Sequence, residues 1–439
     1  PYYNLGMALT MQDKFDDAYS AFYKSIWNDA WQHAGYLSLA RIAALKKNYE
    51  DALDFIDKSL LKNYHSHTAR HAKVFILRKL HQYKKAIACI DESLALDPFN
   101  FGCLFEKYIL LHNENIEKAD DVLNQLKSIT RNNANNFMEY AFDYAHAGLY
   151  EEAIQLLLIY KKHNDQNTLI AYYLGWLAYR AGNMQVAIES FQSGAALSPG
   201  YVFPNRIEDI AVFKTAIALH PNDAKAYYYL GNFWFDKRQY NEAIACWEQS
   251  VKTDDRFPTA FRNLSLAYYN KRNDADKALQ FMEKAFSLDN TDSRVLMELD
   301  QLYKRLNRSH RKRLYLLEEH LYLVEQRDDL YLERITLYNL LGDYAKAKEL
   351  LQRHQFHPWE GGEGKVIQQY IICNIELAKR AIGTGEYEDA LQLLGGAENY
   401  PSSLGEGKLG GAQENDIHYW KGIVSEKKGD NIRADEYFK

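Results

Sequence analysis

The sequence predicts an all-α fold, an α-α superhelix of stacked antiparallel helix pairs. Two observations carry this expectation. Breakers are scarce, with 8 Pro and 23 Gly against 34 Tyr in 439 residues, which favours long helices rich in large packing side chains. The second observation is a period. Short helical stretches such as FDDA, YEDA, YKKA, YEEA and YNEA end on alanines at Ala18, Ala52, Ala86, Ala119, Ala153 and Ala187, in steps of 34, 34, 33, 34 and 34 residues. Further copies fall at Ala243, Ala347, Ala390 and Ala434. A single hairpin cannot bury its own apolar stripe, so units of this size must stack on one another.

The unit is clearest from Ala171 to Pro199, AYYLGWLAYRAGNMQVAIESFQSGAALSP. Leu174 precedes Gly175, a turn falls at Ala181–Gly182–Asn183, and the second helix carries Ala187 and Phe191. The same positions hold Leu230, Gly231, Ala243, Trp247 and Ser250 in one copy, and Leu5, Gly6, Ala18, Phe22 and Ser25 in the first. Small residues are needed where two antiparallel backbones approach, and large ones fill the space to the next hairpin. These residues resemble the tetratricopeptide repeat, which pairs Leu-Gly on its first helix with Ala and Phe on its second. The resemblance runs over nearly the whole chain and implies about a dozen hairpins. It also implies a concave surface lined by the first helices, made to hold a partner and not to catalyse a reaction.

The period breaks in places, and the breaks set the organisation: regular repeats over 1–197, a degenerate unit over 198–222, further repeats over 223–355, and C-terminal repeats with two insertions over 356–439. From Ser198 to Arg206 (SPGYVFPNR) two prolines stand where a first helix is due, so the segment Ile207 to Leu219 reads as a second helix without its mate. Arg313 stands where an alanine is expected, and Asn273 to Asp276 lengthen one turn by a residue, a cheap change. Two Gly/Glu-rich insertions follow, FHPWEGGEGK at Phe356 to Lys365 and GGAENYPSSLGEGKLGGAQEND at Gly395 to Asp416. Consecutive inter-repeat loops leave a solenoid on one edge, so the two are expected side by side.

Two surfaces are therefore candidates for binding. Register along the first helices places Tyr3, Met7, Met138, Phe142, Tyr172, Trp176, Tyr179, Tyr228, Asn232, Phe235, Arg262 and Tyr269 on the concave face, where exposed aromatics would form an interaction surface. Alternatively, many of these pack between neighbouring helices. The insertions supply His357, Trp359, Glu360, Glu363, Lys365, Glu406, Lys408, Glu414, Asp416, His418 and Trp420. Carboxylates beside aromatic platforms suit saccharide binding or processing. The competing explanation is structural: glycines for tight turns, acids capping helices, and tryptophans packing the junction. The Lys and Asn with which tetratricopeptide chaperone adaptors clamp a C-terminal carboxylate are replaced, since Tyr228 and Asn232 stand there with Asp236 beyond.

No nucleophile motif, metal-ligand spacing or phosphate loop is present, and LGEGKLGG does not fit GxxxxGK[ST]. No cofactor, metal or enzymatic activity is expected. Cys89, Cys103, Cys246 and Cys373 lack CxxC spacing and read as small buried side chains. A net charge of −6 argues against nucleic-acid or membrane partners, and the basic stretch RLNRSHRKR from Arg305 to Arg313 reads as a solvated helix face. No apolar run reaches membrane-spanning length. The chain opens at Pro1 and stops at Lys439 in mid-pattern, as an excised piece of a longer, cytoplasmic protein would.

The segments SPGYVFPNR, FHPWEGGEGK and YPSSLGEGKLGGAQENDIHYW resemble a bacterial family of large proteins. In that family an N-terminal uncharacterised β-rich domain is joined to a C-terminal tetratricopeptide array. The resemblance implies that this chain is the array, that its partner is a protein segment or its own upstream domain, and that the setting is carbohydrate-related.

Overall fold

The computed structural model describes residues 1–112, 114–162, 166–405 and 414–439. The described residues are helical with no strand, and they divide into two compact units, Pro1–Asp255 and Arg256–Lys439. In unit 1, α1 (Tyr2–Thr10) pairs with α2 (Phe15–Ser25), α3 (Gln32–Leu45) with α4 (Tyr49–Lys62), and α5 (His67–Lys79) with α6 (Tyr83–Leu96). The next pairs are α7 (Phe101–His112) with α8 (Ile116–Ile129), α9 (Ala134–His146) with α10 (Tyr150–Lys161), and α11 (Thr168–Arg180) with α12 (Met184–Ala196). A lone α13 (Glu208–Leu219) precedes the pair α14 (Ala224–Asp236) and α15 (Tyr240–Thr253).

Unit 2 begins with α16 (Pro258–Ala267), prolonged by a π-type turn at Tyr268–Arg272, against α17 (Ala275–Leu288). Then come α18 (Ser293–Arg305) with α19 (His310–Glu319) and the short α20 (Leu321–Val324), and α21 (Asp328–Leu340) with α22 (Tyr344–Arg353). The last pairs are α23 (Lys365–Thr384) with α24 (Tyr387–Glu398), and α25 (Asn415–Lys427) with α26 (Asn431–Phe438). The predicted hairpins are all present.

The repeating alanine is the point of closest approach within each hairpin. Ala18, Ala52, Ala86, Ala119, Ala153, Ala187, Ala243, Ala347 and Ala390 are fully enclosed. Ala278 in α17 belongs to the same set, although the sequence pattern passes over it. Five residues before these alanines the chain turns through a left-handed residue, as at Lys47, His81, Gly148, Gly182, Arg238, Gly342 and Gly385. The next N–H then closes a bond to the first helix, as Asn48 N–H does to Ala43 O at 2.9 Å and Asn183 N–H to Ala178 O at 2.8 Å, which ends the helix as a Schellman-type cap.

The small residue of the first helix faces an aromatic of the second, 16 residues on in four hairpins: Gly6 and Phe22, Gly175 and Phe191, Gly231 and Trp247, Gly422 and Phe438. A Cβ at Gly231 would stand 2.5 Å from the Trp247 ring. That ring cannot slide away, because its Nε1–H donates to Tyr228 O at 3.2 Å and Asn232 Oδ1 at 3.1 Å. Gly231→Ala is therefore expected to destabilise unit 1 by about 1–3 kcal/mol through overpacking, read as a lowered denaturant midpoint with an unchanged slope.

The degenerate repeat α18–α19 keeps the geometry with different chemistry. Asp300 takes the place of the glycine and Arg313 that of the alanine, and their side chains are 0 % and 2 % exposed. Arg313 Nε and Nη2 donate to the two oxygens of Asp300 at 2.9 and 2.8 Å. A bidentate ion pair thus replaces the small-residue contact.

Candidate partner-binding surface

In unit 1 the first-helix face around α3, α9 and α11 is occupied by the unit's own residues, and a cavity of about 480 Å³ remains between α5 and α7. Arg41 of α3 pairs with Asp143 of α9 at 2.6 Å, and Arg180 of α11 pairs with Asp13 of the first turn at 2.7 Å, so the stack curls until distant repeats touch. Between them lie cavities of only about 30 and 60 Å³, the first bordered by Met7, Phe15, Arg41 and His146. The degenerate unit, residues 198–222, covers more of the same face. Arg206 Nε donates to Glu139 Oε1 at 3.0 Å, and Glu208 Oε1 stands 2.9 Å from His146 Nε2. The Tyr173 hydroxyl donates to Asp209 at 2.6 Å.

The aromatic stripe read from register is corrected accordingly. Met138, Phe142, Tyr172, Trp176 and Tyr228 are buried. Phe142 packs on Tyr173 and Trp176, with ring centroids 4.9 and 5.9 Å away. The Tyr172 hydroxyl donates to Asp223 at 2.6 Å, and burial pushes its phenol far above the usual range. Asn232 holds Trp247, Phe235 packs on Tyr240 and Trp247, and Tyr3 stacks on Trp31 at 4.9 Å. Tyr179 alone of these aromatics is over a third exposed, at 42 %. Phe142 and Tyr172 join successive first helices, whereas Asn232 and Phe235 pack within their own hairpin.

Unit 2 is built differently. Between its first two first helices, α16 and α18, a cleft of about 220 Å³ opens over Met282 of α17. Leu266, Tyr269 and Asn270 form one wall, Met297, Gln301 and Arg305 the other. Arg262 spans its far end, its Nε donating to Glu298 Oε2 at 2.6 Å. Of the residues predicted on the concave face, Tyr269 lines this cleft and Arg262 meets it only through Glu298. Met282, Met297 and Gln301 were missed, since apolar and amide side chains on a helix look like ordinary packing.

The two insertions do lie together: Phe356 N–H donates to Ser403 O at 2.9 Å, and Phe356 and Leu404 are both buried. Asp328 anchors the first loop, accepting from His357 N–H at 2.8 Å and standing 2.7 Å from His354 Nε2. Burial works to raise the Asp328 carboxyl, but His354 and the His357 amide hold it below its usual range. Trp359 folds back on Gly362, where a Cβ would come within 2.3 Å of the ring. Trp420 is half-buried beneath Lys379, 5.0 Å from its ring centroid. Glu360, Glu363, Lys365 and Asp416 are exposed, and His418 lies 3.4 Å from Glu398. Glu414 is half-buried beside them, while Glu406 and Lys408 lie outside the described residues.

Among the described residues no group of three or more His, Cys, Asp or Glu is arranged to hold a metal, and no helix is long and apolar enough to cross a membrane. The four cysteines are free thiols; burial pushes Cys246 up to about 11 and Cys373 up to about 12.

Paired helices, small residues at their crossings and an open first-helix cleft define an all-α helical-repeat protein. Tetratricopeptide-repeat family models match residues 143–202 and 224–257, so the chain carries tetratricopeptide repeats in those stretches. Among solved structures it is similar to MamA from Desulfovibrio magneticus RS-1, at 20% identity over 44% of this chain and 97% of that one, with a TM-score of 0.26. It is similar also to human IFIT1 solved as a dimer with m7Gppp-AAAA, at 14% identity over 92% and 88% of the two chains and a TM-score of 0.30. A third is a thermophilic tetratricopeptide protein of Thermus thermophilus, at 18% identity over 46% and 97% and a TM-score of 0.26.

Proposed function

We propose that the chain is a non-enzymatic protein-binding scaffold whose partner, a segment of another protein or of a longer form of this one, docks in the cleft between α16 and α18. The observation that carries this reading is the apolar lining of that cleft, Leu266, Met282, Met297 and Leu302. Unit 2 keeps a cleft of about 220 Å³ with a methionine floor, whereas the wider cavity of unit 1, about 480 Å³ between α5 and α7, is edged by Arg78, Lys79 and Glu114. Methionines adapt to varied apolar side chains. The volume lies below the roughly 300–1,000 Å³ of small-molecule sites, which suits a side chain projecting from a peptide. The saccharide alternative is not favoured, because Trp359 and Trp420 each spend a ring face on the chain itself.

Met297→Lys places a charge in the half-open wall of the cleft. It is expected to abolish selection of peptides from a random display library while leaving the melting temperature within a degree or two of the parent. If parent and variant retain the same peptides, the cleft is not the docking site.

A further inference from the structure

We infer that the segment received by the α16–α18 cleft is acidic, an apolar residue flanked by Asp or Glu. This rests on the reading of the cleft as a docking site and adds the chemistry of its partner. Charge is segregated across two neighbouring repeats. Residues 256–272 and 293–312, which include α16 and α18 with the turns that follow them, hold ten Lys and Arg and only two acids in a chain of net charge −6. Both acids are already paired, although Glu298 also lines the cleft. Asp300 is enclosed by Arg313, and Glu298 is held by Arg262, with Arg294 3.4 Å away.

Three further arginines, Arg272, Arg305 and Arg308, stand where α16 and α18 end. Arg305 lines the cleft, its guanidinium 5.4 Å from the Tyr269 ring centroid. Arg272 follows two residues after Asn270 of the opposite wall, and Arg308 lies at the turn that ends α18. All three are exposed, and none forms an ion pair among the described residues. By contrast Lys304 is engaged by Glu333 at 2.9 Å and Lys312 stands 3.8 Å from Glu283. A floor of Met282 with Leu266 and Met297 on the walls takes an apolar side chain, while the guanidiniums at the end of the cleft receive carboxylates next to it. A nucleic-acid strand fits less well. It needs aromatic faces on which successive bases stack, and the one aromatic in the cleft, Tyr269, already lies under Arg305.

The test selects peptides from a random twelve-residue display library on the full chain. A chosen peptide is then titrated against the parent and Arg305→Gln/Arg308→Gln, with a twelve-nucleotide oligo-dT as the second probe. The expected result is enrichment of Asp and Glu around one apolar position. Affinity should fall about tenfold in the double variant, in line with two exposed charge pairs of up to about 1 kcal/mol each, and again as salt is raised. Peptides that bind the parent, are lost in Met297→Lys and show no acidic enrichment overturn this inference while the docking reading stands. Selected peptides indifferent to Met297→Lys overturn both. Oligo-dT that binds in an Arg305- and Arg308-dependent way, with no acidic enrichment, overturns the inference in favour of a nucleic-acid surface.

Discussion

Arg313→Ala is expected to lower the stability of unit 2 by about 3–5 kcal/mol, because it leaves a buried carboxylate without its counter-charge. Asp300 is fully enclosed. Burial already pushes its carboxyl above the usual range, even against the hydrogen bonds and charge of Arg313. Removing the guanidinium strengthens that shift. A carboxyl whose folded pKa is raised binds its proton more tightly folded than unfolded, so its contribution is most favourable below the unfolded value near 4 and is lost as pH rises. The deficit of Arg313→Ala should therefore be larger at pH 7 than at pH 4. Arg313 Nη2 also donates to Glu333 Oε1 at 2.5 Å, but Glu333 keeps Lys304 at 2.9 Å and so is not orphaned. The double variant Asp300→Ala/Arg313→Ala restores the small pair used by the other hairpins, and is expected to return to within about 1 kcal/mol of the parent. Denaturant titration of the four proteins of this cycle measures the coupling. A double variant no more stable than Arg313→Ala would show that the site needs the bulk of the pair and not its charge.

That exception also shows what was legible. The alanine period fixes hairpin number and pairing because backbone proximity admits only small residues, so residue identity reports geometry directly. Arg313 was visible as a departure from the period, and its meaning follows once Asp300 is seen in the facing slot. Ala278 escaped because its helix opens ADKA, without the aromatic or apolar residue that heads most copies, after a turn one residue longer. The neighbouring insertions were legible too, since successive loops of a solenoid share an edge. The binding face was not. An aromatic on a first helix has the same period whether it meets a groove or the next helix, and the curl of unit 1 depends on distant contacts such as Arg41–Asp143 and Arg180–Asp13. The cover supplied by Arg206 and Glu208 comes from a segment outside the period altogether. The stretch Arg305 to Arg313 is not one solvated helix face, since it spans the α18–α19 turn and Arg313 is buried. Arg305 is exposed, but its place beside Tyr269 needs the π-type turn that ends α16.

Phe213→Ala is expected to cost unit 1 about 3–5 kcal/mol, the range for emptying a large aromatic site in a core. The prediction decides whether α13 is part of the scaffold or a lid over its first-helix face. Phe213 is fully enclosed, with ring centroids 5.2 Å from Tyr172 and 5.5 Å from Tyr229. Val212 and Ala216 on the same helix are fully enclosed as well. Polar groups tie the same seam, since Asp209 and Asp223 accept the Tyr173 and Tyr172 hydroxyls and burial pushes both carboxyls up. Carboxyls and phenols so enclosed are not released to water without a large penalty. An integral helix therefore predicts a fall in the denaturant midpoint together with weakened near-ultraviolet dichroism from the Tyr172–Phe213–Tyr229 cluster. A detachable lid predicts a loss below about 1 kcal/mol, with new binding of an apolar dye. The second outcome would reopen the face carrying Phe142 and Trp176 as a docking surface, and the cleft of unit 2 would no longer be distinguished from it.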